Sequence, residues 1–110
     1  MDEIVILEYE NDAGKNAYSN WVSGLSEAAY SKVLSAIALM EAGSFGDVKP
    51  VGQGVSERRI HWGPGLRFYF GKDGQELVIL LGGGTKRRQD NDIKSAQDNW
   101  AEYKKNKKRK

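Results

Sequence analysis

Cysteine is absent from the 110-residue chain and histidine occurs once, which excludes several common kinds of site. Without cysteine the chain has neither a disulfide framework nor a thiolate metal site. With a single histidine, a metal ion would have to be held by carboxylates, and no carboxylate-rich loop of the calcium-binding type occurs. We therefore expect no metal site and no cofactor.

Long apolar runs, internal repeats and low-complexity linkers are also missing. No apolar run approaches the length of a membrane span. The N-terminus, MDEIVILEYE, is acidic, whereas a secretory signal begins with basic residues. We expect a cytoplasmic protein that does not bind membranes, with one domain over residues 1–103.

Basic residues are scarce in the first half of the chain, and acidic residues are the minority in the second half. Residues 1–57 contain three Lys or Arg and nine Asp or Glu, for a net charge of −6, whereas residues 58–110 contain fourteen and six, for +8. A half with this much positive charge attracts polyanions, and nucleic acid is the commonest polyanion in a cytoplasm. An acidic protein partner is the other possibility that this asymmetry leaves open.

The first half of the chain predicts a supporting layer. Residues 4–7 predict a short buried strand, and a weak amphipathic helix follows from Lys15. Ser26 is a good cap for a second helix, which Gly43 would end. The two helices are expected to form a hairpin on one face of a sheet, and residues 44–54 to form a loop.

Residues 54–85 predict three strands joined by two turns. Polar and apolar side chains alternate on either side of the turn at Gly63-Pro64-Gly65, so that one face of the hairpin is aromatic. If Phe68 and Phe70 face the core, the opposite face is cationic. It would carry Glu57, Arg59, His61, Arg67 and Tyr69.

The last strand and helix bring further basic residues to this sheet. Residues 77–81 are uninterruptedly apolar, which is typical of a central strand, and Gly82-Gly83-Gly84 then leads to Lys86, Arg87 and Arg88. The three glycines either admit a phosphate closely or form a flexible strand exit. Asp90 or Asn91 is a cap for a final helix, and residues 104–110 predict a disordered basic tail.

The predicted fold is α+β. Its order is strand, helix, helix, strand, strand, strand, helix, with an antiparallel-dominated sheet of about four strands.

Three motifs make the sequence similar to a known family. They are GDVKPVGQGVSERRI at residues 46–60, GPGLRFYF at 63–70 and LVILLGGGTKRR at 77–88. Together they resemble the HigB-like addiction-module killer proteins of the RelE/ParE toxin superfamily. The resemblance extends over nearly the whole chain, because length and element order agree as well.

This resemblance implies a type II toxin that a cognate antitoxin, a DNA-binding protein encoded alongside, keeps harmless. Relatives mostly cleave mRNA on the ribosome, whereas a ParE-like minority inhibits DNA gyrase without cutting RNA. The family has an arginine on its active face, on the strand that follows the GPG turn, and Arg67 occupies that position here. The basic group that closes the last strand corresponds to Lys86 with Arg87, and the ExR pair to Glu57 and Arg59.

The residue types suit metal-independent RNA cleavage by a 2′-hydroxyl. Arg59 and Arg67 offer paired donors for a pentavalent phosphate, which Lys86 would assist. His61 is the one group with an ordinary pKa near neutrality, and Glu57 is either a base or, more often in such settings, the ion-pair partner of an arginine. For binding RNA we expect Tyr69 to stack on a base and three cations to contact phosphates. These cations are Lys49, Arg87 and Arg88.

Ordinary interpretations remain open beside these. The arginines are also compatible with a solvated sheet face, His61 is equally typical of a surface residue next to a turn, and a lysine such as Lys49 is more often only solvated. A non-enzymatic gyrase inhibitor or ribosome blocker, and a basic RNA-binding domain without toxicity, are the alternative functions.

Overall fold

The computed structural model describes residues 3–108, which form one mixed sheet between two helical layers. The α+β prediction is confirmed. Five strands and three helices occur in the described residues, and a short 3₁₀ turn, Lys86–Arg88, precedes the last helix. In chain order they are β1 Val5–Glu8, α1 Ala17–Ser23, α2 Glu27–Glu41, β2 Val48–Pro50, β3 Val55–Ile60, β4 Leu66–Lys72, β5 Leu77–Thr85 and α3 Gln89–Lys108.

The strand order across the sheet is β1-β5-β4-β3-β2. β1 runs parallel to β5, and the other three pairings are antiparallel. The expected count of about four strands is therefore wrong by one. The additional strand, β2, lies in the predicted loop at 44–54, where Val48 pairs with Arg58. A three-residue edge strand that contains Pro50 has almost no signal of its own, since proline is tolerated at sheet edges but not in central strands.

The helical hairpin covers the sheet face that carries Phe68 and Phe70, as predicted. The Ser26 hydroxyl caps α2 by accepting from the amide of Ala29 at 3.2 Å. Helix α1 begins at Ala17, later than expected, because the Asn16 side chain caps it. Among residues 3–108, no helix is long and apolar enough to cross a membrane.

Helix α3 packs on the opposite face, against Tyr69, Ile79 and Leu81, through Ala96 and Trp100. It begins at Gln89 rather than after an Asp90 or Asn91 cap, because the chain enters it from the 3₁₀ turn. It also continues through Lys108, so residues 104–108 are helical and not a disordered tail. Residues 109 and 110 of that predicted tail lie outside the described residues.

Two of the three consecutive glycines make close packing possible on opposite faces of β5. A Cβ at Gly83 would lie 2.2 Å from the Trp21 ring of α1, and one at Gly84 would lie 2.0 Å from the Asp92 carboxylate of α3. Both contacts are possible only because glycine has no Cβ. The glycine run therefore serves packing within β5, whose register with β4 shifts between the pairs Phe70–Leu80 and Tyr69–Gly82.

The predicted burial of β1 is wrong. Val5 and Leu7 are 53% and 50% exposed, whereas the alternate residues Ile4 and Ile6 pack against the α1–α2 layer. β1 is at the edge of the sheet, and α3 does not cover its outer face. An apolar run alone does not distinguish such an edge strand from a central one.

Candidate functional site

Arg59 and Arg67 lie directly opposite each other on β3 and β4. Directly opposed residues of antiparallel strands project to the same face, so both arginine side chains leave the sheet on one side. Glu57 and Tyr69 form the neighbouring pair of the same face, on which α3 packs. Lys49 pairs with Glu57 across β2 and β3 and also belongs to this face. The prediction that alternation would place Arg59 and Arg67 on one face is confirmed.

Glu57 lies beneath the start of α3 and is fully buried. Its Oε2 accepts a hydrogen bond from Gln89 Nε2 at 2.8 Å and lies 3.6 Å from Arg67 Nε. Its Oε1 has no hydrogen-bond partner among residues 3–108. The Arg67 Nε likewise has no hydrogen-bond partner among the described residues, so the two groups form an ion pair without a hydrogen bond. A carboxylate in this position neutralises the charge of Arg67, which favours the ion-pair interpretation over the role of base.

Tyr69 is also fully buried, so it cannot stack on an RNA base as predicted. Its ring packs in the layer beneath α3, among Val55, Ile79 and Trp100. Burial raises the pKa of Tyr69 above its ordinary value, and the nearby Glu57 carboxylate raises it further. Strand alternation correctly predicted which face of the sheet carries Tyr69. It could not predict that α3 would cover this part of the face.

Asp47 connects Arg59 with His61, and the sequence interpretation did not single it out. Arg59 Nη2 donates to Asp47 Oδ1 at 3.0 Å, and His61 Nε2 lies 2.5 Å from Oδ2. These two hydrogen bonds, the one with His61 first, lower the pKa of the Asp47 carboxyl below its ordinary value. The His61 side chain remains 76% exposed although its Nε2 contacts Asp47.

Arg58 belongs to the other face, as its position opposite Phe68 requires. Its guanidinium packs over Gly46, where a Cβ would lie 2.7 Å away, and it donates to the Arg59 carbonyl. Burial lowers the pKa of Arg58, and Asp47 opposes that shift. Arg58 therefore stabilises the β2–β3 region and is not part of the arginine pair.

Lys86, Arg87 and Arg88 form an exposed basic turn at the end of β5. The pairing of Leu66 with Thr85 brings this turn to the beginning of β4, one position from Arg67. Asp92, in the first turn of α3, lies over Gly84, which pairs with Arg67. Burial raises the pKa of Asp92, and Arg88 partly opposes this.

We refer to Arg59, Arg67, His61, Asp47 and the basic turn as the arginine face. It combines two arginines at directly opposed strand positions with an exposed imidazole, which shares Asp47 with Arg59, and the buried Glu57 carboxylate lies 3.6 Å from Arg67. Such an arrangement can bind a phosphodiester through paired donors and exchange a proton next to it. Lys49 is exposed at the rim of this face.

One relative places the chain among known proteins. The chain is 42% identical over 81 residues to a Haemophilus influenzae protein that bears the name "Uncharacterized protein", across 73% of this chain and 82% of the relative. The chain belongs to the same family as that protein. No family model matches the chain, and no solved structure matches it significantly.

Proposed function

We propose that the protein is the toxin of a type II toxin–antitoxin pair and acts as a ribosome-dependent, metal-independent mRNA endoribonuclease that inhibits translation. The observation that carries this proposal is the direct opposition of Arg59 and Arg67 on one face of the sheet. The resemblance of residues 46–88 to HigB-like killer proteins of the RelE/ParE superfamily supports it. A RelE/ParE-like fold is part of the same proposal.

In this mechanism the 2′-oxygen of a ribose attacks the adjacent phosphorus. The P–O5′ bond then breaks, leaving a 2′,3′-cyclic phosphate and a 5′-hydroxyl. Arg59 and Arg67 neutralise the charge that develops on the equatorial phosphate oxygens, and Lys86 adds a third cation. Glu57 keeps Arg67 in place, as its buried position beneath that side chain favours.

The proton has to leave the 2′-hydroxyl and another has to reach the 5′-oxygen. His61 is the best placed group for this exchange, because it is exposed and its Nε2 is oriented by Asp47. Lys49, Arg87 and Arg88 would contact flanking phosphates, which gives affinity without sequence preference. The partner that restrains the toxin would be its cognate antitoxin, a DNA-binding protein encoded alongside.

The test is to map transcript 5′ ends after brief induction. Arg67→Lys keeps the charge next to Glu57 but removes the paired donors, and we expect at least a tenfold loss of new 5′ ends. Lys94→Ala, which removes an exposed cation that pairs with Asp98 on α3, is the control and should cleave like wild type.

Three results would contradict the proposal. Growth arrest without new transcript ends would exclude the nuclease. Double-strand breaks in DNA with intact transcripts would favour a ParE-like gyrase inhibitor. Normal growth on induction would leave only an RNA-binding domain without toxicity.

A further inference from the structure

The outer edge of β1 is a second exposed surface, three strands away from β3, which carries Arg59. Within residues 3–108, no strand pairs with this edge. The amides of Val5 and Tyr9 donate to Glu76 and Leu80 on the β5 side. Because backbone groups alternate in direction along a strand, Ile6 and Glu8 present their N–H and C=O groups outward. The edge therefore offers a short ladder of main-chain donors and acceptors.

An apolar groove of about 630 Å³ runs along the same strand, between β1 and the C-terminal half of α3. Leu7, Tyr9, Leu77, Ile79 and Tyr103 line it. Val5 and Leu7 are half exposed here because α3 packs over the centre of the sheet and leaves its β1 side open. Two large aliphatic side chains on an open edge are an unusual feature of a protein that stays free.

The surroundings of this edge are acidic. Glu3, Glu8, Glu10, Glu41 and Glu76 are all exposed near β1. Glu10 and Asp73 line the groove, and so does one cation, Lys107, which is paired with Asp73 at 2.5 Å. The carbonyl of Glu41 accepts from the amide of Ile4 at the beginning of the edge. Residues 1–14 contain no lysine or arginine. This charge disfavours nucleic acid, and it disfavours a second copy of the chain, whose β1 would place the same carboxylates opposite these.

We propose that the β1 edge binds an extended segment of a protein partner in which apolar and basic residues alternate. Main-chain hydrogen bonds to Ile6 and Glu8 extend the sheet by one strand. Side chains on the α3 side enter the apolar groove next to Val5 and Leu7. Those on the opposite side meet Glu8 and Glu41. The inference does not rest on the proposed ribonuclease activity, since it uses no residue of the arginine face.

The test uses a synthetic, terminally capped octapeptide that alternates valine and lysine. Two control peptides separate the contribution of the alternating pattern from that of the positive charge. One has the same composition with the lysines in one block, and the other has glutamate in place of lysine. We expect the alternating peptide to bind at least tenfold more tightly than either control. Amide hydrogen exchange should slow at Ile6 and Glu8 when it is bound.

Two substitutions locate the binding. Leu7→Lys removes the apolar contact and adds a like charge, so the affinity should fall at least tenfold. Glu8→Pro removes an outward N–H that β5 does not use, and should abolish binding, whereas Glu8→Gln, which keeps that N–H, should retain most of it. Leu34→Lys, at an exposed apolar residue of α2, is the matched control and should bind like wild type.

Several outcomes would overturn the proposal. They are no binding of the alternating peptide, equal binding of the lysine-block peptide, and unchanged affinity in both Leu7→Lys and Glu8→Pro. A homodimer in sedimentation equilibrium that Glu8→Pro dissociates would assign the edge to a second copy instead. Because Leu7 is half exposed, Leu7→Lys should remain folded even if the proline variant does not.

Discussion

Glu57 lies directly beneath Arg67, with 3.6 Å between its Oε2 and the Arg67 Nε. The carboxylate is fully buried and the arginine side chain is 13% exposed, so neither charge is well solvated. The pair links the strand core to the arginine face, because one partner belongs to the interior and the other reaches the surface. Substitutions at Arg67 therefore affect stability as well as any function.

We predict that Arg67→Ala destabilises the protein by about 3 kcal/mol, because it leaves a buried carboxylate without its counter-charge. Adding Glu57→Gln to Arg67→Ala should recover at least ~1 kcal/mol, since the uncompensated charge is then gone. Urea unfolding of the wild type, both single variants and the double variant measures the coupling. Additive effects of the two substitutions would show that the pair is not energetically coupled.

Gly83→Ala should destabilise the fold by about 1–3 kcal/mol, because the new methyl group meets the Trp21 ring and α1 has to shift. Gly24→Ala is the control, since its Cβ would have only one ordinary contact, at 3.7 Å to a carbonyl oxygen. Its effect should stay within ~0.5 kcal/mol of wild type. Equal stability of the two variants in chemical denaturation would contradict the packing of Trp21 on β5.

The sequence was sufficient for the features that depend on local geometry. Two-residue alternation predicted that Arg59 and Arg67 share a face, because it follows from the covalent structure of any strand. It could not predict the burial of Tyr69, which depends on α3 crossing that face some twenty residues later. The contact of Asp47 with His61 likewise joins residues 14 positions apart.

The sequence also did not predict features that depend on contacts with another strand or helix. β2 exists because β3 supplies its hydrogen bonds, and no propensity in Val48–Pro50 reveals this. The packing role of Gly83 and Gly84 depends on Trp21 and Asp92, which belong to different helices. In the candidate site, the residue types were therefore predictable from the sequence, whereas the extent to which each side chain is buried was not.

Asp73 should make the C-terminal half of α3 sensitive to acid. Lys107 and Tyr103 donate to its carboxylate at 2.5 and 2.7 Å, and these hydrogen bonds, the one from Lys107 first, lower the pKa of Asp73. A lowered pKa in the folded state means that the stabilisation is present above the ordinary pKa of about 4 and is lost as the pH falls below it.

We therefore expect Asp73→Asn to be less stable than wild type at pH 6, with the difference disappearing at acid pH. Hydrogen exchange at residues 103–108 should be faster in the variant at pH 6 for the same reason. Asp98→Asn, at an exposed position of the same helix, serves as the control. A difference that persists unchanged at pH 2–3 would contradict a role for the charged carboxylate.

If Arg59 binds phosphate as we propose, Asp47 should weaken that binding. Its carboxylate lies 3.0 Å from the guanidinium and competes with any phosphodiester that approaches the arginine face. Asp47→Asn removes that negative charge, so we expect a single-stranded, 2′-O-methyl RNA oligonucleotide, which cannot be cleaved by 2′-hydroxyl attack, to bind about three- to tenfold more tightly. The dependence of affinity on salt should also become steeper, because one more cation is free to replace counterions.

Asp98→Asn removes a carboxylate from the exposed surface of α3 and is the matched control, with an expected change below twofold. Fluorescence anisotropy at several salt concentrations measures both the affinity and its salt dependence. Weaker binding by Asp47→Asn would mean that the carboxylate positions Arg59 for phosphate rather than competing with it. In that case the hydrogen bond from Arg59 to Asp47 would be part of the phosphate-binding geometry itself.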